Sequence, residues 1–375
     1  MRAIDETYMK MVIEEAKKGI GHTSPNPYVG ALIVKNNKII ATGYHAQYGP
    51  AHAELDAITH ATESLAGSTL YCNLEPCCHE AKQTPPCAQR IINEKIARVV
   101  IANRDPNFHV NGKGIDLLRA AGIEVTEGIL QDEGEQLNEV FFTSMLHKKP
   151  FVHLKWAQSL DGNIATYAGN SKWISSPEAL HKVHLLRKKY DAILIGQNTL
   201  VKDNPHLTAR LDEHVSAPWR IILAKLNTLS MQCNVTTDAY NHKTICITDA
   251  TDIAQNAEKA ATLKANGVRI ATVNRDETGA LDLRQVLAEL HAFGITSVLV
   301  EGGSAILTSF IEQNLWNRMS VFIAPLFIGG GLQAVKSPAP EYINNAARFR
   351  NIQYETYGDT IQRNIQNKGS LCLPD

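Results

Sequence analysis

Apolar residues recur at helical spacing between Thr7 and Lys18, at Met9, Val12, Ile13 and Ala16, and Gly19 and Gly21 end the pattern. The period then changes. Two β-rich runs, Tyr28 to Val34 and Lys38 to Gly43, flank Lys35-Asn36-Asn37, which predicts a hairpin turned by asparagines. Helical and strand patterns alternate from there: helix Ala53 to His60, strand Ser68 to Leu74, helix Cys87 to Glu94, strand Arg98 to Ala102, helix Gly114 to Ala121 and strand Ile123 to Thr126. A hairpin followed by such units predicts a mixed sheet with helices on both faces.

A further helix is expected from Gln131 to Phe142, and the polar, proline-ended stretch His147-Lys148-Lys149-Pro150 reads as a domain boundary, giving domains 1–147 and 148–375. Beyond it a second alternating series runs through strand Phe151 to Ala157, helix Pro177 to Lys189, and strands Ala192 to Ile195, Arg220 to Ala224 and Thr244 to Thr248. It continues with helix Asp252 to Asn266, strand Val268 to Val273, helix Leu283 to Phe293, strand Ser297 to Val300, a helix opened by Gly302-Gly303, and strand Met319 to Ala324. The expected class is α/β in both halves, and the tail from Gly358 to Asp375 has no readable period.

Composition narrows the function. The net charge of -1 supplies no field for gathering polyanions, and with 6% aromatic residues the chain lacks the stacking surface of a polynucleotide binder. No run approaches the ~18 apolar residues of a membrane span, and the acidic start (Asp5, Glu6) does not resemble a signal peptide. Seven cysteines are too few and too uneven for a disulfide framework, so a cytoplasmic, unprocessed protein is expected.

Four of those cysteines lie between Cys72 and Cys87. His52-Ala53-Glu54, followed by Pro76-Cys77 and then Cys87, has the order of the zinc deaminase signature. A catalytic zinc takes three protein ligands and leaves a fourth position for water, which His52, Cys77 and Cys87 can provide for. Glu54, one helical turn's start away from His52, can shuttle protons without ligating. Nine residues separate the two cysteines where the common version has two, so Cys78 and His79 compete with Cys77 as ligands. Pro76 and Pro85-Pro86 favour Cys77 and Cys87. A closed structural zinc, or buried thiols with no metal, is the bland alternative; Cys72, Cys233, Cys246 and Cys372 read as inert core residues.

At this point the chain resembles the bifunctional riboflavin-biosynthesis deaminase-reductases of bacteria. The likeness rests on Ser24-Pro25-Asn26-Pro27-Tyr28-Val29-Gly30, His52-Ala53-Glu54, Leu74-Glu75-Pro76-Cys77-Cys78-His79, Thr84-Pro85-Pro86-Cys87 and Asp105-Pro106-Asn107 in the first half. In the second half it rests on Lys155-Trp156-Ala157-Gln158-Ser159-Leu160-Asp161-Gly162, Trp173-Ile174-Ser175, the run from Asp203 to Arg210, and Val300-Glu301-Gly302-Gly303-Ser304. The resemblance implies a cytidine-deaminase-like three-layer domain followed by a dihydrofolate-reductase-like domain. It implies one zinc, NADPH as hydride donor, and 2,5-diamino-6-ribosylamino-4-pyrimidinone 5'-phosphate as the substrate that is deaminated before its ribosyl group is reduced to ribityl. It also implies Asn26, His79, Lys82, Asp105 and Asn107 as substrate contacts of the deaminase. For the reductase it implies Ala157, Trp173, Thr199, Asp203, Gly303 and Ser304 on NADPH, and Ser171, Arg187, Leu207, Arg210 and Glu301 on the substrate. The zinc loop departs from the family: it is one residue longer and lacks a glycine, and Phe108 stands where a proline is common.

Strand Ser297 to Val300 running into a Gly-Gly turn offers free amides at a helix N-terminus, a seat for a pyrophosphate. Gly329-Gly330-Gly331 after Pro325 reads as a cofactor-facing loop or as a flexible strand exit, with the loop favoured. Arg187 and Arg210 fit a two-donor clamp on the sugar phosphate. A polynucleotide deaminase fused to an unrelated α/β module, and a non-catalytic zinc-bearing interaction protein, are the rival readings. The partners expected are the small-molecule substrate and a second copy of the chain in a homodimer, with no nucleic acid and no membrane.

Overall fold

Alternation along the first strand decides the layering of the N-terminal half. The structure, a computed structural model, describes residues 2–49, 51–78, 86–108, 110–172, 174–211, 214–337, 340–349 and 352–367. It divides into two units, Met1–Lys148 and Lys149–Asp375. In the first, β1 (Gly30–Lys35), β2 (Lys38–Tyr44), β3 (Thr69–Leu74), β4 (Arg98–Asn103) and β5 (Glu124–Thr126) lie in the order β2-β1-β3-β4-β5. Strand β1 is antiparallel to β2 and β3, and β3, β4 and β5 run parallel. Helices α1 (Arg2–Ala16), α2 (Ala53–His60), α3 (Cys87–Asn93), α4 (Lys113–Ala120), α5 (Gln131–Leu137) and α6 (Glu139–His147) complete the unit. Ala31 and Ile33 point to one face and pack with Ala57 of α2, Ile91 of α3 and Ile115 of α4; Leu32 and Val34 point to the other and meet Met9 and Val12 of α1. Three layers follow.

The asparagine turn forms as expected, with Asn36 and Asn37 both at positive φ. Two expectations change. Helix α1 begins five residues before Thr7 because Asp5 is buried: Arg98 donates to both of its oxygens at 2.8 and 2.9 Å and Tyr71 at 2.9 Å. The single helix expected from Gln131 to Phe142 breaks at Asn138. Its side chain accepts from Tyr28 N at 2.8 Å and donates to Tyr28 O at 2.9 Å, a tertiary use that leaves its backbone at φ −103°, ψ 21° between α5 and α6.

In the second unit, β6 (Phe151–Ser159), β7 (Asn163–Ala165), α7 (Pro177–Lys189), β8 (Ala192–Gly196), α8 (Gln197–Asp203), β9 (Ala209–Leu211), β10 (His214–Ser216) and β11 (Trp219–Leu223) come first. Then follow α9 (Asn234–Thr237), β12 (Thr244–Thr248), α10 (Ala250–Gln255), α11 (Ala257–Ala265), β13 (Arg269–Thr272), α12 (Leu283–Ala292) and β14 (Ser297–Val300). The unit closes with α13 (Ser304–Glu312), β15 (Arg318–Ala324), β16 (Leu332–Gln333), β17 (Gln353–Tyr357) and β18 (Thr360–Gln366). Nine strands form one sheet in the order β13-β12-β11-β8-β14-β6-β15-β18-β17, parallel from β13 to β15 and antiparallel at β18 and β17. One face buries Leu154, Leu194, Ile221, Val298 and Phe310, the other Ile193, Ile195, Ile222 and Leu263.

The helix expected from Asp252 to Asn266 is also two, divided at Asn256, whose amide donates to the carbonyl and the carboxylate of Asp252. The tail is more regular than its sequence: Gly358, at φ 58°, turns β17 into β18. Cys72, Cys233 and Cys246 are buried free thiols; Cys372 lies outside the described residues. No helix among the described residues is long and apolar enough to cross a membrane.

Arg220 on β11 has no exposed side-chain surface and donates to Thr244 Oγ1, His206 O, Val235 O and Asp238 Oδ2. Arg220→Met keeps the apolar stem but takes the guanidinium away from Asp238 Oδ2 and from the carbonyls of His206 and Val235, of which Val235 O keeps Thr244 Oγ1. A loss of about 3 kcal/mol in the unfolding free energy of the second unit is expected, because one half of a buried pair remains behind. Urea titration of that unit's transition measures it, with the first unit's transition as the internal reference.

Two candidate active sites

The first site is built where the parallel strands of the first unit end. His52 occupies the N-cap position of α2, Cys87 opens α3 behind Pro86, and Cys77 follows β3 by three residues. Their ligating atoms all lie within 4.8 Å of one another, with Cys77 Sγ 3.5 Å and Cys87 Sγ 3.3 Å from His52 Nδ1. Cys78 is not part of this cluster and rests partly buried against the apolar core. The hydrogen bond from Cys87 holds the Cys77 thiol well below its usual range, while that contact and burial push Cys87 up. An imidazole and two sulfurs so placed form the three-ligand donor set that a catalytic zinc takes.

Glu54 stands in the first turn of α2, 3% exposed, and burial pushes its carboxyl above the usual range against the pull of His52. His52, Glu54, Cys77, Asn26, Asp105 and Asn107 all line one cavity of ≈ 240 Å³. His79 and Lys82 lie outside the described residues.

Sequence reasoning passed over four residues of this cavity. His45 is buried, its Nδ1 3.1 Å from Ala51 O and its Nε2 3.0 Å from Asn26 Nδ2. A carbonyl only accepts, so Nδ1 carries the proton, Nε2 accepts from Asn26, and the Asn26 amide oxygen is left as its free acceptor. Glu75 accepts from four backbone amides, Asp105 N and Gly112 N on one oxygen and Gly114 N and Ile115 N on the other. It thereby ties the Cys77 segment to the Asp105 loop and caps α4. Phe141 and Met145, one turn apart on α6, supply an apolar wall. Of these only Glu75 left a sequence trace, as the residue before Pro76-Cys77.

The second site lies at the ends of β8 and β14. Ser171, Thr199, Asp203, Gly303 and Ser304 line a cavity of ≈ 620 Å³, together with Lys202 and Lys336. The Ser304 hydroxyl is buried there without a hydrogen-bond partner, at the start of α13, and a Cβ on Gly302 would come within 2.7 Å of Ile306. An unclaimed donor, free first-turn amides and a glycine backbone held close are what a dinucleotide pyrophosphate requires. Ala157 sits on β6 and does not line this cavity; Trp173 lies outside the described residues.

Arg187, Glu301, Leu207 and Arg210 form a separate cluster. Arg187 donates Nε and Nη2 to the two oxygens of Glu301 at 2.7 and 2.8 Å and Nη1 to Thr208 O. Although burial works against the charge, Arg187 and then Lys155 hold Glu301 down to about 2. Most of the Arg187 fork is therefore committed inside the protein, and Arg210 presents the outward guanidinium, steadied by Thr208 Oγ1 at 2.8 Å. His184, pushed down to about 4 by burial and by Arg187 and Arg210, is neutral and accepts from Arg210 N. Leu207 holds a left-handed backbone with its side chain in the core.

These geometries have relatives. Residues 2–103 match the cytidine and deoxycytidylate deaminase zinc-binding region, and residues 150–362 match the RibD C-terminal domain. The riboflavin biosynthesis protein RibD of Aquifex aeolicus is 41% identical over 361 residues, covering 96% of this chain and 98% of that one. The chain belongs to the RibD family. RibD of Acinetobacter baumannii superposes with a TM-score of 0.87 at 30% identity, covering 98% and 99% of the two chains. A Thermotoga maritima RibD-type structure, described as a diaminohydroxyphosphoribosylaminopyrimidine deaminase/5-amino-6-(5-phosphoribosylamino)uracil reductase, superposes at 0.85 with 37% identity, covering 97% and 99%. The RibD family accounts for both folds in one chain.

The metal cluster yields a direct expectation. Cys77→Ser and Cys87→Ser should each lose zinc, while Cys78→Ser should keep close to one zinc per chain. Metal analysis of the three purified variants decides; zinc loss confined to Cys78→Ser would transfer the ligand role to that sulfur.

Proposed function

We propose that the two halves of this RibD-family enzyme act in turn on one pyrimidine ribose phosphate in riboflavin biosynthesis. The first half hydrolyses 2,5-diamino-6-ribosylamino-4-pyrimidinone 5'-phosphate to its deaminated product and ammonia; the second reduces the ribosyl group of that product to ribityl with NADPH. The observation that carries this reading is the buried carboxyl of Glu54 beside His52, Cys77 and Cys87, facing a cavity in which Asn26, Asp105 and Asn107 suit the edge of a flat heterocycle.

Zinc, held by His52, Cys77 and Cys87, supplies the Lewis acidity that makes water nucleophilic near neutral pH. Glu54 would carry two protons in turn on a carboxylate oxygen: one from the attacking water to the ring nitrogen, then one from the hydroxyl so formed on the substrate carbon to the amine that departs as ammonia. Asn26, its amide orientation set by His45, offers an acceptor to a ring N–H or amino group. Asp105 and Asn107 complete the edge, and Phe141 and Met145 exclude water from one side. His79 and Lys82, which stand between Cys77 and Cys87 in sequence, are proposed to contact the substrate as the family resemblance implies, a cation suiting its 5'-phosphate.

In the second half NADPH supplies the hydride to C1' of the ribose. Thr199, Asp203, Gly303 and Ser304, which line the larger cavity, hold the cofactor; Ala157, away from that lining, and Trp173 are proposed as further contacts on the strength of the family resemblance alone. Ser171, Leu207, Glu301 and the two arginines hold the sugar phosphate, Arg210 through its free donors and Arg187 through those left by Glu301. One zinc per chain, a homodimer and a cytoplasmic setting belong to this reading; the described cysteines, all free, accord with the last.

Glu54→Gln should retain zinc and lose deamination by at least about 10²–10⁴-fold, the range of general acid/base catalysis, while reduction of supplied deaminated product continues. Ammonia release and NADPH oxidation by the same preparation measure the two. Arg210→Lys should raise KM for the sugar phosphate in the reductase roughly tenfold with kcat little changed, because a point charge replaces a planar pair of donors. An unchanged KM would return Arg210 to the solvated surface.

A further inference from the structure

The motif Ser159-Leu160-Asp161-Gly162 joins β6 to β7, and the proposed chemistry leaves Asp161 without a task. The structure nonetheless gathers a dense set of bonds on its carboxylate. Oδ1 accepts from Ser159 Oγ at 2.5 Å and from Ile328 N at 3.1 Å; Oδ2 accepts from Asn163 Nδ2 at 2.9 Å and from Gly329 N at 2.8 Å. The same Asn163 amide donates to Gly329 O at 2.8 Å. All of these partners belong either to the β6–β7 turn or to the segment that leaves β15.

That segment contains Gly329-Gly330-Gly331 and then becomes β16, which pairs with β7 through Leu332↔Ala165 and Gln333↔Asn163. Ala165 from one strand and Leu332 from the other line the 620 Å³ cavity, so the two-stranded ribbon is a wall of the site assigned above to NADPH. Three successive glycines are the most costly residues to order. Gly329 has a positive φ, and Gly331 packs against Ala165 O so closely that a Cβ would lie 2.3 Å from it, so neither accepts a stiffer residue. Order must come from outside the glycines, and the Asp161 carboxylate fastens the start of the run while the β7 pairing fastens its end. The Ser159 hydroxyl and the two loop amides hold that carboxyl down to about 2, so it is ionised at every working pH.

We infer that Asp161 is a positioning residue of the reductase: it pins the triglycine segment so that the β7–β16 wall is already in place when NADPH arrives. This rests on the assignment of that cavity to NADPH. A wall that must be ordered on binding weakens the cofactor's affinity without altering hydride transfer once the cofactor is bound. Asp161→Asn has the same shape, but its amide nitrogen cannot accept from a loop N–H.

Equilibrium titration with NADPH, followed by steady-state reduction of the deaminated product, tests the inference in the full-length protein. Asp161→Asn should raise Kd and KM for NADPH roughly tenfold, the effect of losing a hydrogen bond to a charged group, with kcat at saturation within about twofold of the wild type. Deamination by the same protein should be unchanged and serves as the measure of enzyme concentration, while the retained kcat of the reductase reports that the second unit is folded. Gly330 is the one glycine of the run with a permissive φ and open space where a Cβ would go. Gly330→Ala on the Asp161→Asn background should therefore recover about two- to fivefold in affinity by reducing the disorder of the free loop. A purely architectural Asp161 would lower the melting temperature and leave NADPH affinity alone. Wild-type binding of NADPH with the same Kd in Asp161→Asn overturns the inference alone; a wild-type protein that does not bind NADPH overturns the cavity assignment and the inference with it.

Discussion

Parallel strand pairing is the constraint on which both sites depend. When β3 pairs parallel with β4 in the first sheet, and β14 with β6 and β8 in the second, the chain leaves the paired strands of each sheet at one end of that sheet. Each exit leads into a loop or a helix start, so free amides and short polar side chains collect there. In the first unit that end holds Cys77 after β3 and Asp105 and Asn107 after β4. In the second it holds Thr199 and Asp203 after β8, Glu301 and Ser304 after β14, and Asp161 after β6. Neither set is contiguous in sequence. The sheet's direction, rather than any single contact, makes each a site.

Charge is buried in this protein at joints between its segments, Glu301 and Glu75 just past strand exits and Arg98 and Arg220 at strand starts. Asp5 with Arg98, Arg187 with Glu301, and Arg220 with Asp238 each join segments far apart in the chain, and Glu75 does the same with four amides. Such groups contribute little net stability compared with apolar replacements of equal volume, but they tolerate few alternative geometries. Apolar contacts among Ile193, Ile195 and Ile222 would survive a shift of an ångström; a two-point guanidinium–carboxylate contact would not.

Periodic features were legible in the sequence, and features made by single polar side chains were not. The unbroken β-rich runs of β1 and of the apolar strands of the second unit show their positions directly, and the zinc cluster shows through residue type and order. Asn138 and Asn256 look like ordinary helical residues until their amides are seen bonded to Tyr28 and Asp252, so two helices became four. His45 carries no spacing signal, because its partner Asn26 is nineteen positions away. The Arg187 and Arg210 pair was visible as two cations, but only the fold shows that Glu301 takes most of one. Strand β18 escaped notice because polarity and burial run opposite ways along it: Thr360 and Gln362 are buried and Ile361 is exposed.

The order in which the reductase strands are synthesised differs from the order in which they sit. Strand β6 is the first of its unit to be made, yet its two neighbours are β14 and β15, which begin at Ser297 and Arg318, and β15 in turn waits for β18 at Thr360. The centre of that sheet cannot close until almost the whole chain has left the ribosome. All five strands of the first unit are complete by Thr126, and its last helix by His147. During translation the protein therefore passes through an interval in which one half has every residue it needs to fold while the other holds an apolar strand with no partner.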